Sequence, residues 1–493
     1  MNMKLKIVIA GLMLLSIASC KKNFIELSPK TYISEDQFFQ TASDYNQAVV
    51  AAYSPLQGLY GDAYVMGEMR SDNATYFNSP GLSGGQFTDK YNISGFNDAS
   101  VNGDNSNKYV SCYNGIARTN AILDRVDNAN IDAATKSNVK GQAQFLRAFY
   151  YFELVQYYGG VPLHLKEVTS VAQAGLARSS ADQVYTQIIA DATSAASLLP
   201  QTQTTPGMVT KGSAETLLGY VYMTQKDYPD AETALTKVTT LGYSLMPSYA
   251  AIFNPANKNN AESIFEVQYL AGPQGLSSSF AFQFAPNINQ IVNILGVSGN
   301  NQTTGGWDKP TPDLIASYEP GDKREAATIA FTYVDGSGKT DSGAYVIKYT
   351  HPPYANFGNC GDDWMVYRYG DVLLLLAECL NDEGKSSDAI PYLNQVRARA
   401  GLPATTASSQ TDLTTAIAHE RRVELAFENH RWLDLVRTGQ AISVMTAFGA
   451  KIKQQEPYIQ ANAYTSITTD KLIFPIPQSE LDINPLLKQN PGY

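Results

Sequence analysis

The sequence predicts a mainly α protein, a helical scaffold that carries long irregular loops and a few short strands. Three observations predict it. Apolar residues recur at three- and four-residue steps through most of the chain. Two helical hairpins share one internal spacing. Two stretches rich in Gly, Asn, Ser and Asp separate the helical blocks. At 493 residues, 44% of them hydrophobic, the chain can bury a large core and reads as globular.

Taken in order, the chain opens with Lys4 and Lys6, then an apolar run from Ile7 to Leu15, then Ser16-Ile17-Ala18-Ser19. A positive start, a short apolar core and small residues before a cut are the parts of a secretory signal, here over 1–19. The run is too short to span a bilayer, which takes about 20 residues. Cys20 follows in LLSIASCKKN, an apolar–x–small–Cys pattern that resembles a bacterial lipoprotein box. The expectation is a lipidated Cys20 as first mature residue and a tether over 20–30, with 31–493 forming one domain.

Helical periods then begin at Asp44 (DYNQAVVAAYSPLQGLY), Asn114 (NGIARTNAILDRV) and Lys140 (KGQAQFLRAFYYFELVQYY). SSADQVYTQIIADATSAASLL opens on a serine cap and closes before Pro200. In GSAETLLGYVYMTQKDYPDAETALTKV, Gly219 is followed twelve positions later by Ala231; in LLLLAECLNDEGKSSDAIPYLNQV, Ala377 is followed at the same offset by Ala389. A small residue, a short polar turn and an alanine at this spacing is the pattern of tetratricopeptide repeats, whose small residues let two helices approach closely. Tetratricopeptide-type helices are thus expected near 140–245 and 365–440. Residues 61–111 and 250–355 show no sustained period and carry scattered aromatics, with strand-like pieces such as SIFEVQYL and GAYVIKYT. Loops this long are usually functional.

The net charge of −10 becomes −12 once Lys4 and Lys6 leave, so the chain should repel nucleic acid and anionic membrane surfaces. Membrane attachment would then come from the lipid. Three cysteines besides Cys20 make no disulfide framework, though one bridge is possible, and Cys379 reads as a buried thiol. The 31 tyrosines suit both helix contacts and wet recognition surfaces. GLSGG from Gly81 matches a nucleophile-elbow pattern but lacks the strand and helix that the elbow needs. DASVNG from Asp98 begins like a calcium loop, but Tyr109 stands where a bidentate Glu belongs. No cofactor is expected beyond that possible structural calcium. In AHERRVELAFENHRWLDLVRTG, Leu425, Trp432 and Leu435/Val436 recur at helical steps. Glu424 and Glu428 stand one turn apart, with Arg421, Arg422 and Arg431 as available partners. This reads as a helix stitched by ion pairs, and no carboxylate pair stands out for catalysis.

Several of these segments together resemble one family. VYRYGDVLLLLAECLND, ERRVELAFENHRWLDLVRTG and the ending LIFPIPQSELDINPLLKQNPGY are similar to the C-terminal signature of SusD/RagB-type outer-membrane lipoproteins, which are starch-binding-associated. YYFELVQYYGGVPLHL resembles that family's helix-to-GGVPL turn and GEMRSDNATY its first excursion. The resemblance implies a SusD-like fold and a non-enzymatic outer-membrane lipoprotein. Such a protein captures glycans, or peptides in some members, and delivers them to a SusC-like TonB-dependent transporter. It also implies a lipid-anchored place at the cell surface, although Lys21 and Lys22 stand where surface lipoproteins often carry acidic residues. A secreted glycan hydrolase is the alternative from a different class.

Sugar recognition sets aromatic faces against the apolar face of a sugar ring, with amide and charged groups taking the hydroxyls. Arg70, Asp72, Asn73 and Tyr76 in the first excursion, and Trp307 in the second, have that chemistry. Arg70 and Asp72 read equally well as structural ion pairs that prop the loop, and Trp307 as a loop anchor.

Overall fold

The computed structural model describes residues 38–78, 85–287, 292–297, 305–334 and 338–493. The leader, Cys20 and the tether lie outside these residues, as do Gly81 to Gly84 of the GLSGG motif. Long helices form the body: α1 (Ala42–Tyr53), α2 (Gly103–Val126), α3 (Ala133–Tyr158), α4 (Ala181–Leu198), α5 (Lys211–Gln225), α6 (Tyr228–Thr239), α7 (Tyr369–Asp382), α8 (Ser386–Ala400), α9 (Gln410–Glu424) and α10 (Ala441–Gln455). Their starts follow the sequence signals. Thr41 with Asp44 and Ser180 with Gln183 form capping boxes at α1 and α4, and Asp132 and Ser409 cap α3 and α9. Each such cap supplies an acceptor to an otherwise unpaired N–H, contributing about 1 kcal/mol. The α3 helix is buried nearly all round, through Phe145, Phe149, Tyr150, Tyr157 and Tyr158 among others, which puts it at the centre of the fold. It stops at Gly159, whose φ of 70° turns the chain into GGVPL.

Helices adjacent in sequence pack on one another, α2 on α3, α3 on α4, α5 on α6 and α7 on α8. The expected close approaches are there. A Cβ on Gly219 would overlap the Leu235 side chain across α5 and α6, and Ala231, Ala377 and Ala389 are fully buried. The α6 helix also packs against α7, so the two hairpins stack even though residues 240–368 lie between them in the chain. The strands are short and pair antiparallel: β1 (Ala74–Thr75) with β3 (Lys309–Pro310), β2 (Ser263–Val267) with β6 (Trp364–Arg368), and β4 (Ile329–Val334) with β5 (Thr340–Val346). Cys112, Cys360 and Cys379 are buried free thiols. Among the described residues no helix is long and apolar enough to cross a membrane.

Two expectations change. The stretch 61–111 is not free of regular structure, for it contains helices Ala63–Gly67 and Gly85–Ser94 and the start of α2. Buried polar residues hide the period of α2: Asn105 donates to the Pro475 carbonyl, and Lys108 reaches Glu153 at 2.5 Å. The second change concerns the segment from Ala418. The helix ends at Glu424, and the turn after it passes through Phe427 and Asn429 at φ of 64° and 70° before a short helix, Arg431–Arg437. That turn is held from outside: Lys348 donates to the Ala426 carbonyl, Tyr349 to that of Phe427, and the Phe427 N–H donates to Glu68.

Asp434 takes Arg421 and Arg437 from within the segment, but the ion pairs of Glu424 and Glu428 are long-range. Glu424 is bonded by Arg324 and Arg368 and paired with Arg399; Glu428 takes Arg368 and Lys348; Glu262 takes Arg368 and Arg399. Burial alone would raise the Glu424 carboxyl, but Arg399, Arg368 and Arg324 around it hold it well below the usual carboxylate range. Arg368 sits on β6 and is almost fully buried, so one side chain ties the sheet to α9 and its turn. Removing one partner of such a cluster strands the others, at about 3–5 kcal/mol. Arg368→Met should therefore lower stability by roughly that amount in chemical denaturation, whereas Lys385→Ala, at the solvent-exposed pair with Glu232, should leave the midpoint unchanged. Gly219→Ala should cost about 1–3 kcal/mol through overpacking against Leu235.

Candidate aromatic binding face

The β1–β3 ladder joins the two excursions: Thr75 stands opposite Lys309 and Ala74 opposite Pro310. Three of the residues expected to meet a ligand lie beneath this junction. The Arg70 guanidinium is buried, pairs with Asp98, donates to the carbonyls of Ile93 (2.8 Å) and Lys471 (3.0 Å), and stacks 3.8 Å from the Phe96 ring centroid. Asp72 accepts from Arg431 at 2.8 Å and pairs with Arg422 at 2.9 Å. Asn73 donates to Glu68 and accepts from Arg422, each at 2.8 Å. Arg70 and Asp72 do not pair with each other; each braces the excursion against the C-terminal helices. Buried and engaged in this way, Arg70, Asp72 and Asn73 have no open face to offer a ligand, which corrects the sequence expectation for them.

Tyr76 and Trp307 are brought together, with four aromatics that sequence reasoning missed. The Tyr76 ring lies 4.3 Å from that of Tyr91 and 5.9 Å from that of Tyr458; Tyr91 and Phe87 lie 5.4 and 5.5 Å from Trp307. Trp307 is only 5% exposed and forms the floor. Phe77, Phe87, Tyr91 and Tyr458 are half-buried and form the open rim. The backbone fixes this arrangement. The Phe77 N–H donates to the Gly306 carbonyl at 2.8 Å, the Trp307 N–H to that of Gln283 at 2.9 Å, and the Tyr458 hydroxyl to that of Tyr76 at 2.6 Å. Gly306 takes a φ of 65°, the left-handed turn that lays Trp307 under the others. One signal was readable: Phe87 and Tyr91 are four apart and so share a face of helix Gly85–Ser94. Nothing in the sequence linked Tyr458 to residues 76 and 307.

A half-open set of tilted rings can take the apolar face of a sugar, and the tyrosine hydroxyls and lysines beside them can meet sugar hydroxyls. Lys309 lies 5.4 Å from the Phe77 ring centroid and 5.7 Å from that of Tyr458. The calcium-loop resemblance does not organise a site, since Asp98 takes Arg70 and the Tyr493 hydroxyl, and Asn102 caps α2. A cavity of about 500 Å³ lies elsewhere, between α5, α7, α9 and Arg431–Arg437. Within its lining Arg437 pairs with Glu378 and Arg421 with Asp434. Beneath the face, Glu68 and Asp308 are fully buried. One oxygen of Glu68 and both of Asp308 have no hydrogen-bond partner. Burial pushes Glu68 up to about 7, against the bonds from Asn73 and Phe427, and burial together with Glu68 pushes Asp308 well above the carboxylate range.

Comparison with known proteins agrees with this architecture. Residues 331–493 match the model of the SusD family, and residues 24–223 match a model described as starch-binding associating with outer membrane. A SusD-like protein of Formosa agariphila, P25, is 27% identical with 99% of each chain covered. Among solved structures, a laminarin-binding SusD-like protein superposes with a TM-score of 0.77 at 27% identity, covering 92% of this chain and all of its own. The surface glycan-binding protein A of Bacteroides thetaiotaomicron, solved in complex with laminarihexaose, gives 0.75 at 25% identity over the same shares.

A carboxyl raised in the folded state holds its proton where the unfolded chain has lost it. Stability from Glu68 is therefore full below its ordinary 4.5 and declines as pH rises through about 7. Asp308→Asn keeps the shape and removes the neighbouring ionisation. Thermal unfolding should show the wild type losing stability as pH rises from about 4 to 8 and the variant losing less, with the two converging toward pH 4.

Proposed function

The chain belongs to the SusD family, and from that premise we propose that it is a non-enzymatic lipoprotein of the outer membrane that binds glycans and passes them to a SusC-like TonB-dependent transporter. The half-open aromatic face carries this reading. It unites the two excursions at one ladder, and chains of the same fold are named for laminarin and laminarihexaose. Phe77, Phe87, Tyr91 and Tyr458 take the sugar rings. Tyr76 and Trp307 support them from below, and Arg70, Asp72 and Asn73 hold the first excursion in place. The description of the matched model as associating with the outer membrane supports this location. Lipidation of Cys20 is the proposed attachment, with 20–30 as a tether that leaves the binding body free to meet a transporter. Solved structures of the same fold are named as binding proteins, which supports capture over turnover.

Affinity electrophoresis and calorimetry against laminarin and a panel of other polysaccharides and peptides test this reading. The expected result is binding to a glycan without release of shorter products. Phe77→Ala and Tyr458→Ala should each weaken binding by about 1 kcal/mol or more, roughly fivefold, with little change in thermal stability. Product release by pure protein would favour the hydrolase instead, and binding to peptides alone would move the ligand class. Cys20→Ala should shift the protein from the membrane fraction to the soluble fraction of the cell envelope, and retention in the membrane would contradict the lipid anchor.

A further inference from the structure

Resting on the glycan reading above, we infer that the aromatic face selects uncharged glycans, and that Glu456 enforces this by cancelling the charge of Lys309. Among the described residues, Lys309 and Lys90 approach these rings. Lys309 stands over Phe77 and Tyr458, and Lys90 lies 5.9 Å from the Trp307 centroid. A lysine beside an aromatic platform would ordinarily offer a carboxylate or sulfate a charge-assisted hydrogen bond. Here both are already occupied. Lys309 donates to Glu456 at 2.6 Å, both side chains 16% exposed, and to the Tyr458 oxygen at 3.3 Å. Lys90 is buried between Asp62 (3.0 Å) and Asp104 (2.8 Å), so its surroundings are negative overall.

An anionic sugar drawn onto Phe77 and Tyr458 would give up hydration and meet the Glu456 carboxylate, with Lys309 already committed. A neutral sugar bears neither cost. The protein's net charge cannot supply the selectivity, because charges beyond about 8 Å are largely screened at physiological salt. The pairing at the face itself decides.

Wild type, Glu456→Gln and Lys309→Met, compared by calorimetry and affinity electrophoresis, test this. The probes are laminarin and other neutral polysaccharides, polygalacturonate as a uronate and carrageenan as a sulfate. Wild type should bind a neutral glycan and neither polyanion. Glu456→Gln, which frees Lys309, should keep neutral-glycan affinity within about twofold and acquire polyanion binding that wild type lacks at the same concentrations, weakening as salt rises. Lys309→Met should gain no polyanion binding. Wild-type binding to a polyanion as tight as to any neutral glycan would overturn the inference and leave the glycan reading intact. So would a Glu456→Gln protein without the gain. Loss of neutral binding in Glu456→Gln would also overturn it, assigning Glu456 to holding Tyr458. Wild type that binds no polysaccharide of the panel would overturn the glycan reading and this inference with it.

Discussion

The buried charge cluster around Glu424 and Arg368 is the constraint on which the rest of the structure depends. Arg368 comes from β6, Arg399 from α8, Glu424 from α9, Arg324 from the second excursion and Glu262 from the start of β2. None of these charges can stay buried without the others, since an unpaired ion in the interior costs several kcal/mol. The cluster thus demands that scaffold helices and excursion arrive together. The turn that follows α9 extends this demand to the face. Its Phe427 N–H binds Glu68, whose other partner Asn73 precedes β1, the strand that positions Lys309. Arg422 and Arg431 reach the same region through Asp72. The segment that the sequence presents as a helix stitched by ion pairs is the joint between the scaffold and the aromatic face.

Above that joint the aromatic face is assembled from four separated parts of the chain. Residues 76 and 77 come from the β1 end of the first excursion, 87 and 91 from the helix Gly85–Ser94 later in it, 307 from the second excursion and 458 from beyond α10. Hydrogen bonds to backbone carbonyls set its shape, from the Phe77 N–H to Gly306 and from the Tyr458 hydroxyl to Tyr76. The scaffold is fixed by burial and the face by a short ladder, so changes in the rim can alter what is bound without altering the fold. The buried Asp308 next to Trp307 leaves two carboxyl oxygens without partners, a local cost that the surrounding packing holds in place.

Much of the scaffold was legible in the sequence because helical period, capping residues and small-residue spacing are local signals. Gly219, Ala231, Ala377 and Ala389 report a close helix approach that any reader of the spacing can find, and Ser180 marks the start of α4. The face was legible only in part. Tyr76 and Trp307 stand out in the sequence as aromatics among glycines and polar residues, while Tyr458 was missed because only the folded chain brings it to Tyr76. For Arg70 and Asp72 the structure favours the loop-propping alternative over ligand contact, and Asn73 is engaged in the same way. Polar residues in an irregular stretch look exposed in sequence, yet here their partners Asp98, Arg422 and Arg431 are supplied from far along the chain. Long-range pairing also broke the local reading of Glu424 and Glu428, whose partners come from four other elements.

The account's central claim is that the rim of Phe77, Phe87, Tyr91 and Tyr458 is where a glycan sits. A crystal structure of the protein soaked with laminarihexaose, or with whichever oligosaccharide binds in solution, tests it most directly. The account predicts ordered sugar rings against these four side chains, with Trp307 beneath and Lys309 still paired to Glu456. Ordered sugar in the cavity between α5, α7 and α9, against Tyr228 and Arg437, with the aromatic rim empty, would contradict it.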